Sequence, residues 1–364
     1  MDKGENINNK RQSNIELLRI LAMILIIAHH FALFGAFGFS ETAVSINKLW
    51  IQFIQIGGKI GVNIFILISG YFLINEKSIK INRIIRFWLQ IFTYSIIFFI
   101  IFIACGIKTY STKELIYHMF PITYSLWWFA SAYFVLYLLI PYVNKLLTSL
   151  SKLEYQKLIV LTTICWCIIP TIFRSNFQSN NLIWLIYVYT LAGYIRLHIQ
   201  NIKISNKKCI IIALAITAIT LLTTVILDFI GLKIPTVGKY ATYLYGMKKV
   251  NIVLISVFMF IAVLKTNIKY NKIINTISGA SFGVYLIHEH DYVRTFLWQD
   301  ILSVYKFSNS LFLIPYTIYV ILIVFTICTL IELIRINILE KNYLKYVDKI
   351  SDKIKIQIKR AFKE

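Results

Sequence analysis

Charged residues are scarce in this chain, and acidic residues are the scarcest. Only 15% of the 364 residues are charged, and 16 Asp and Glu stand against 38 Lys and Arg. A soluble domain carries about 25% charged and about 45–50% apolar residues, whereas this chain is 58% hydrophobic. The apolar residues form long runs along nearly the whole length. This pattern is typical of a polytopic membrane protein and excludes a soluble globular domain.

Cysteines are also few, and their positions suggest no special chemistry. The five cysteines lie in or beside apolar runs, and Cys165 and Cys167 fall on different faces of a helix. Because no zinc-type spacing or disulfide framework is visible, we interpret them as small apolar residues and expect no metal. Gly/Ser linkers, low-complexity tracts and obvious repeats are missing too. We therefore expect the function to lie within the membrane and its loops.

The basic residues are distributed unevenly along the chain. A net charge of +22 would suggest a nucleic-acid partner in a soluble protein, but in a membrane protein Lys and Arg collect on the cytoplasmic side. With the N-terminus inside, 26 of the 38 fall on the inner side, eleven on the outer side and Arg19 within the first span. This bias predicts an all-α polytopic protein in a lipid bilayer, with both termini cytoplasmic and no nucleic-acid partner. The ten predicted spans are 16–36, 52–74, 85–105, 127–147, 158–174, 182–197, 209–230, 250–267, 277–297 and 311–334.

We expect two parts: a transmembrane domain over residues 1–334 and a basic cytoplasmic tail over 335–364. Apolar residues of the tail recur at roughly helical spacing, at Val347, Ile350, Ile354 and Ile358. Together with the many lysines this favours an amphipathic helix on the anionic inner leaflet. A plain solvated basic tail fits the pattern equally well.

The first apolar run, residues 13–39, carries titratable groups that a bilayer disfavours. Arg19 and His30 are 11 positions apart, about 1100° of helix, so they share one face and lie about 16 Å apart along the axis. His29 lies about 80° off that face. Glu16 precedes Arg19 by three residues and can pair with it. We expect this face to look into the bundle, although Arg19 alone could snorkel and a lone histidine could serve helix packing.

Three further stretches combine polar and small residues. The stretch INRIIRFW places Arg83 and Arg86 on one side of a helix, where they can clamp phosphates or simply follow the positive-inside trend. Ser69 puts a hydroxyl into the second span, beside a glycine that allows close packing. The stretch ISGASFGVYLIHEHDYVRTF brings Tyr285 and His288 to one side of a late helix, and part of it could be the outer end of that span.

Four stretches together resemble the acyltransferase-3 family of integral membrane O-acyltransferases. The resemblance is carried by ELLRILAMILIIAHH in the first span, by GVNIFILISGYFL with the following INRIIRFW, by LWWFASAYFVLYLLIPYVNKL in the fourth span and by SFGVYLIH near residue 281. The matches run in the family's order from about residue 14 to residue 334. They therefore cover most of the chain.

The resemblance implies about ten helices, an acyl-CoA donor (usually acetyl-CoA) taken from the cytoplasm, and a hydroxyl acceptor. The acceptor would be a carbohydrate or lipid-linked glycan at the outer side. His30 takes the place of the family's essential histidine, Arg19 of its paired arginine, and Arg83 and Arg86 of its basic pair. Because the histidines are adjacent, His29 stays open as the alternative to His30.

The mechanistic hypothesis places CoA phosphates near Arg83 and Arg86, with Ser69 also on the donor side. The pantetheine arm, roughly 15–20 Å long, would follow the polar face of the first span, a length comparable with the helix rise between its charged groups. At His30 the imidazole would act either as a general base or as a covalent acyl carrier. We expect His288 or Tyr285 to orient it or the acceptor, and Glu16 to support the first-span arginine.

Other function classes compete with this hypothesis. A transporter or flippase also places Arg and His inside a bundle, but paired broken helices and internal symmetry are not apparent. A glycan polymerase would rely on longer outer loops, and a purely structural protein would not need the aligned Arg and His. Abundant Ile, Lys and Asn hint at a low-GC bacterium, so we expect a bacterial plasma membrane and a capsular or other cell-surface polysaccharide.

Overall fold

The computed structural model describes residues 12–199 and 203–361, and the regular elements in these ranges are all helical. The predicted membrane domain and tail also include residues 1–11, 200–202 and 362–364, which lie outside the described ranges. The α-helices are α1 Ser13–Phe34, α2 Ile46–Gln55, α3 Gly57–Leu73, α4 Ile81–Ala104, α5 Thr112–Met119, α6 Trp128–Ser149, α7 Lys152–Thr163, α8 Ile169–Phe173, α9 Asn181–His198, α10 Asn206–Gly231, α11 Pro235–Gly238, α12 Val250–Leu264, α13 Lys272–Gly279, α14 Ser281–His288, α15 Asp291–Thr295, α16 Leu313–Arg335 and α17 Lys341–Ala361.

Eight segments of the described chain are long and apolar enough to cross a membrane. They are Ser13–Phe34, Ile46–Leu73, Ile81–Ala104, Trp128–Ser149, Lys152–Phe173, Asn206–Gly231, Pro235–Leu264 and Leu313–Leu344. The predicted all-α membrane fold is therefore confirmed. The predicted count of ten is not, because α9 and the α13–α14 pair fall outside these eight, and the orientation stays a prediction.

Helix α1 lies inside the bundle and packs closely on α3. Ile15, Ala22 and Ile27 of α1 are fully buried. A Cβ added at Gly61 of α3 would lie 2.6 Å from the carbonyl oxygen of Ala22, so only glycine permits this approach. The small residues of α3 thus fix α1, and with it the polar groups of α1, deep in the protein.

The late helical segment breaks just after its polar cluster begins. Helix α14 ends at His288 and α15 begins at Asp291, with His290 in an extended conformation between them. The expectation of one continuous span over 277–297 is therefore wrong at this point. The break interrupts the regular step of about 100° per residue, so Glu289 and His290 take directions that a continuous helix would not give them.

The basic tail is helical over α17 and packs against α4. Val347 and Ser351 are each 1% exposed, while Ile350 is exposed. Arg86 of α4 lies 3.7 Å from the carboxylate of Asp348 in the tail. The tail is thus a helix held against the bundle, and its place on the inner leaflet stays a prediction.

Candidate functional site

A narrow cavity lies between α1, α3, α6 and α14. Its volume is about 40 Å³. Its polar lining comes from His29, His30, Lys59 and the hydroxyl of Tyr285. The other lining residues are Met23, Ile26, Gly58, Val62, Phe65, Trp128, Phe129 and Phe282. Such a slot suits a thin, largely apolar group better than a sugar.

The proton positions in a histidine pair follow from its hydrogen bonds. Nδ1 of His288 lies 2.6 Å from the carbonyl oxygen of Val284, which can only accept, so Nδ1 donates and Nε2 of the neutral ring accepts. Nε2 of His288 lies 3.0 Å from Nδ1 of His30, so His30 donates from Nδ1. Neutral His30 therefore carries a lone pair at Nε2, and that atom has no hydrogen bond to any described residue. This is the form that a general base requires.

A carboxylate stands beside this pair. Oε2 of Glu289 lies 3.2 Å from Nδ1 of His30, and the residue is only 6% exposed. The other oxygen, Oε1, lies 3.7 Å from the guanidinium of Arg294. If Nε2 of His30 takes up a proton, the buried carboxylate can stabilise the imidazolium that forms. Sequence reasoning missed this role, and the signal available was only that Glu289 follows His288 directly.

Aromatic rings form the wall opposite the histidine pair. The ring of Tyr285 packs edge-on against Phe129 at a centroid distance of 5.8 Å and lies 6.2 Å from the ring of Phe282. Phe129 in turn stacks on Tyr133 at 6.0 Å. The wall therefore leads from the cavity along α6 toward the end of the bundle where α1 begins.

The structure brings His30, His288 and Tyr285 together, but it does not bring Glu16 and Arg19 to the cavity. Arg19 lies 3.6 Å from Glu16, one turn earlier on α1, and Glu16 also accepts a hydrogen bond from the hydroxyl of Ser278. Glu16 therefore ties α1 to α13 and holds Arg19. Arg19 lies about three turns of helix from His30, and Glu16 lies about four turns from it.

A polar belt separates Arg19 from the cavity. The hydroxyl of Tyr133 donates to Oγ of Ser69 at 3.2 Å, and Ser69 donates to the carbonyl oxygen of Phe65 at 2.9 Å. The charges of both Arg19 and Arg83 act on the Tyr133 hydroxyl. Phe65 also lines the cavity. Polar groups thus connect the basic residues of α1 and α4 with the narrow slot.

The predicted phosphate clamp on α4 is exposed and already paired. The guanidinium of Arg83 lies 3.7 Å from Glu76, and that of Arg86 lies 3.7 Å from Asp348. Exposed pairs of this kind are worth about 0–1 kcal/mol. A polyphosphate could therefore displace both carboxylates at small cost.

His29, the neighbour of His30 in the chain, occupies a different position. Nδ1 of His29 donates to the carbonyl oxygen of Gln55 at 2.6 Å. Gln55 is the last residue of α2, where the chain breaks before α3, so its carbonyl is no longer used within a helix. His29 therefore ties α1 to this break, whereas His30 faces the other histidine.

A second polar cluster could hold a metal ion. His118 of α5, His290 and Asp291 each offer a ligand atom, and these atoms lie within 4.8 Å of one another. The hydroxyl of Ser95 donates to the carbonyl of His118 at 2.9 Å and so accepts from Nδ1 of His118 at 3.0 Å, which leaves the lone pair on Nε2. Burial lowers the pKa of His118, which favours this neutral, ligating form. The predicted absence of a metal stays a prediction.

The described chain is thus a bundle of apolar helices with a buried histidine pair beside a narrow internal cavity. The family model described as an acyltransferase domain matches residues 12–332, and the chain belongs to this acyltransferase-3 family. It is therefore an acyltransferase of a membrane-associated family, and the predicted family is confirmed. Comparison with curated proteins and with solved structures gives no match.

Proposed function

We propose that the protein is a membrane-embedded O-acyltransferase of a bacterial plasma membrane. It takes an acyl group, in our proposal acetyl, from cytoplasmic acyl-CoA and passes it to a hydroxyl of a cell-surface or lipid-linked polysaccharide. The observation that supports this most is the free Nε2 lone pair of His30, held by His288 and Glu289 at a slot too narrow for a sugar.

The donor would enter at the end of the bundle where α1 begins. Arg83 and Arg86 would hold its phosphates, and a cleft next to Glu76 adds Lys77 and Lys145. The pantetheine arm would pass the belt of Tyr133 and its partners and reach the aromatic slot. Two features support this path. Polar groups follow one another along α4, α1 and α6, and Arg19 and His30 are separated by roughly 16 Å of helix.

The chemical step needs only one base. Nε2 of His30 removes the proton of the acceptor hydroxyl while the oxygen attacks the thioester carbonyl carbon, forming a C–O bond. The C–S bond then breaks, and the imidazolium returns its proton to the departing CoA thiolate. Glu289 stabilises the transient imidazolium, and Tyr285 can donate a hydrogen bond to the developing oxyanion. A covalent acyl-histidine is not required.

The test is CoA release from acetyl-CoA by purified protein in liposomes, with His30→Ala beside the wild type. His198→Ala serves as a matched control, because this histidine lies on α9, does not line the narrow cavity and makes its ring contact with Tyr194. Slow release that His30→Ala abolishes and His198→Ala retains would support the proposal. A folded His30→Ala protein with full transfer would overturn it, and absence of both CoA release and CoA affinity would favour a transporter instead.

A further inference from the structure

A cleft lined by four cations adjoins the narrow cavity. The cleft has a volume of about 400 Å³ and is lined by Lys59 from α3, Arg174 after α8, and Lys248 and Lys249 before α12. Lys59 lines both this cleft and the narrow cavity. We call it the cationic cleft. It is wide enough for a polar group that the narrow slot would exclude.

Three of the four cations in the cationic cleft have only uncharged partners within the described part of the chain. Nζ of Lys248 donates to the carbonyl oxygen of Ser179 at 2.6 Å, and Nζ of Lys249 donates to that of Pro170 at 2.7 Å. The guanidinium of Arg174 lies 4.1 Å from the ring centroid of Tyr240. These partners are uncharged, and no carboxylate lines the cleft. Three cations that lie together without a counter-charge repel one another, and an anionic ligand would offset this cost in free energy.

The position of the cleft is unusual for cations. In the predicted orientation it lies on the outer side, where Lys and Arg are disfavoured, yet it holds four of the eleven that fall there. The other seven outer cations, Lys233 and Lys239 of the same connection among them, do not line the cleft. The positive-inside trend predicts no such grouping on the outer side, whereas binding of an anion would favour it.

Buried hydrogen bonds fix the cleft beside the reacting groups. The side-chain amide of Asn63, one turn after Lys59, donates to the carbonyl oxygen of Met247 at 3.2 Å and accepts from Trp184 at 3.0 Å. The residue before Lys248 is thus tied directly to α3. On the other side, the charge of Glu289, the carboxylate next to His30, acts on Lys59. A ligand in the cleft therefore lies next to the catalytic pair.

We propose that the acyl acceptor is anionic, carrying a phosphate or a carboxylate close to the hydroxyl that is acylated. This inference rests on the proposed function and names its acceptor class. Arg174, Lys248 and Lys249 hold the anionic group, and Lys59 lies where the acceptor meets the narrow slot. The hydroxyl then points toward Nε2 of His30, while the donor occupies the slot from the opposite end of the bundle.

The experiment compares charged and neutral acceptors of matched size in the reconstituted full chain. The probes are ribitol 5-phosphate against ribitol, and methyl glucuronide against methyl glucoside, each added to acetyl-CoA and scored by CoA release and by acetyl ester formation. We expect the anionic member of at least one pair to act at a KM at least about tenfold lower than its neutral partner. The pair that responds distinguishes phosphate from carboxylate.

Charge variants then locate the effect. The double variant Arg174→Gln with Lys248→Gln should raise the KM for the anionic acceptor about tenfold or more. The single variant Lys248→Arg keeps the charge, so its KM should stay close to that of the wild type. The matched control is Lys233→Gln with Lys239→Gln, two exposed lysines of the same end of the bundle that do not line the cleft. Equal KM values for charged and neutral acceptors, or equal effects of the two double variants, would overturn the proposal.

Two readouts separate this inference from the proposed function. Acetyl-CoA hydrolysis by the wild type without acceptor tests only the donor side. Calorimetric binding of ribitol 5-phosphate and of methyl glucuronide without donor tests only the cleft. Anion binding without acetyl-CoA hydrolysis would support the anion site and refute the proposed enzyme activity. Hydrolysis without anion binding would support the enzyme activity and refute the anionic acceptor. The cleft is a lipid site, and the acceptor proposal is wrong, if the wild type binds phosphatidylglycerol vesicles through Lys248 and binds neither soluble anionic probe.

Discussion

Replacement of His288 by leucine tests the proton arrangement at the candidate base. The substitution removes the acceptor for Nδ1 of His30 and the side-chain donor to the carbonyl of Val284, and it places an apolar side chain of similar size there. Loss of a partner for a buried donor costs about 1–3 kcal/mol. Oε2 of Glu289 lies 3.2 Å from the same Nδ1 but accepts no hydrogen bond from it, so it does not replace His288 as the acceptor.

If that cost appears in the chemical step, kcat for acyl transfer falls about 5- to 150-fold, since each 1.4 kcal/mol is a factor of ten. His288 is fully buried and does not line the narrow cavity, so the KM for acyl-CoA should stay within about twofold. A glutamine at this position can offer an amide oxygen to Nδ1, so His288→Gln should lose less activity than His288→Leu.

The assay is CoA release from acetyl-CoA at saturating donor, with the melting temperature of each variant measured in the same detergent. His198→Leu is the control for a general effect of losing a histidine. A His288→Leu protein that melts like the wild type and keeps kcat within twofold would refute the reasoning. So would an equal fall in kcat for His288→Gln and His288→Leu, because the hydrogen-bond acceptor would then not matter.

Three further variants probe the packing, the donor site and a buried ion pair. Gly58→Ala should lower the melting temperature by several degrees and impair acyl transfer, because the new Cβ would clash with the Cβ and Cγ of His29 on α1. Arg83→Gln with Arg86→Gln should raise the KM for acetyl-CoA about tenfold or more, measured by initial rates, with a smaller change in kcat. Asp228→Asn should destabilise by about 3–5 kcal/mol in denaturant unfolding, because it strands the charge of Lys48, whose Nζ lies 2.7 Å from the fully buried carboxylate.

Each of these has a control and a contrary result. Gly246→Ala adds a Cβ in ordinary contact at 3.5 Å, so an equal loss of stability there would contradict the packing argument. Lys233→Gln with Lys239→Gln removes two charges at the other end of the bundle and should leave the KM for acetyl-CoA unchanged. Lys48→Met combined with Asp228→Leu should cost less than either single change, and simple additivity would show that the pair is not coupled.

Within the candidate site, the sequence predicts which residues share a face only when they lie on the same helix. The 11-residue spacing in α1 placed His30 on the inward face, and the pattern in α14 placed His288 and Tyr285 on one side of a helix. The structure brings these three together. Their catalytic roles, and those of Glu16, Arg19, Ser69, Arg83 and Arg86, stay predictions.

Other features could not be predicted because they depend on breaks and on distant segments. The break between α14 and α15 turns Glu289 toward His30, yet the run HEHD reads equally well as the polar end of a longer span. Likewise, the carbonyl of Gln55 becomes available to His29 only because α2 ends there. The cationic cleft joins residues from three separate parts of the chain, and no local pattern links Lys59 with Arg174.

The two cavities differ in width and in charge, and this difference bears on how an acyl group would pass between the two sides of a membrane. The slot next to His30 is narrow and mostly apolar, whereas the cationic cleft is wide and charged, and Lys59 borders both. A thioester arm fits the first and an anionic acceptor fits the second, so neither substrate would occupy the other's place. The base then lies where the two meet, and only the acyl group needs to cross from one space to the other. On this reasoning the bundle can transfer the acyl group without an inward-open to outward-open rearrangement, because the helices already separate the two substrates.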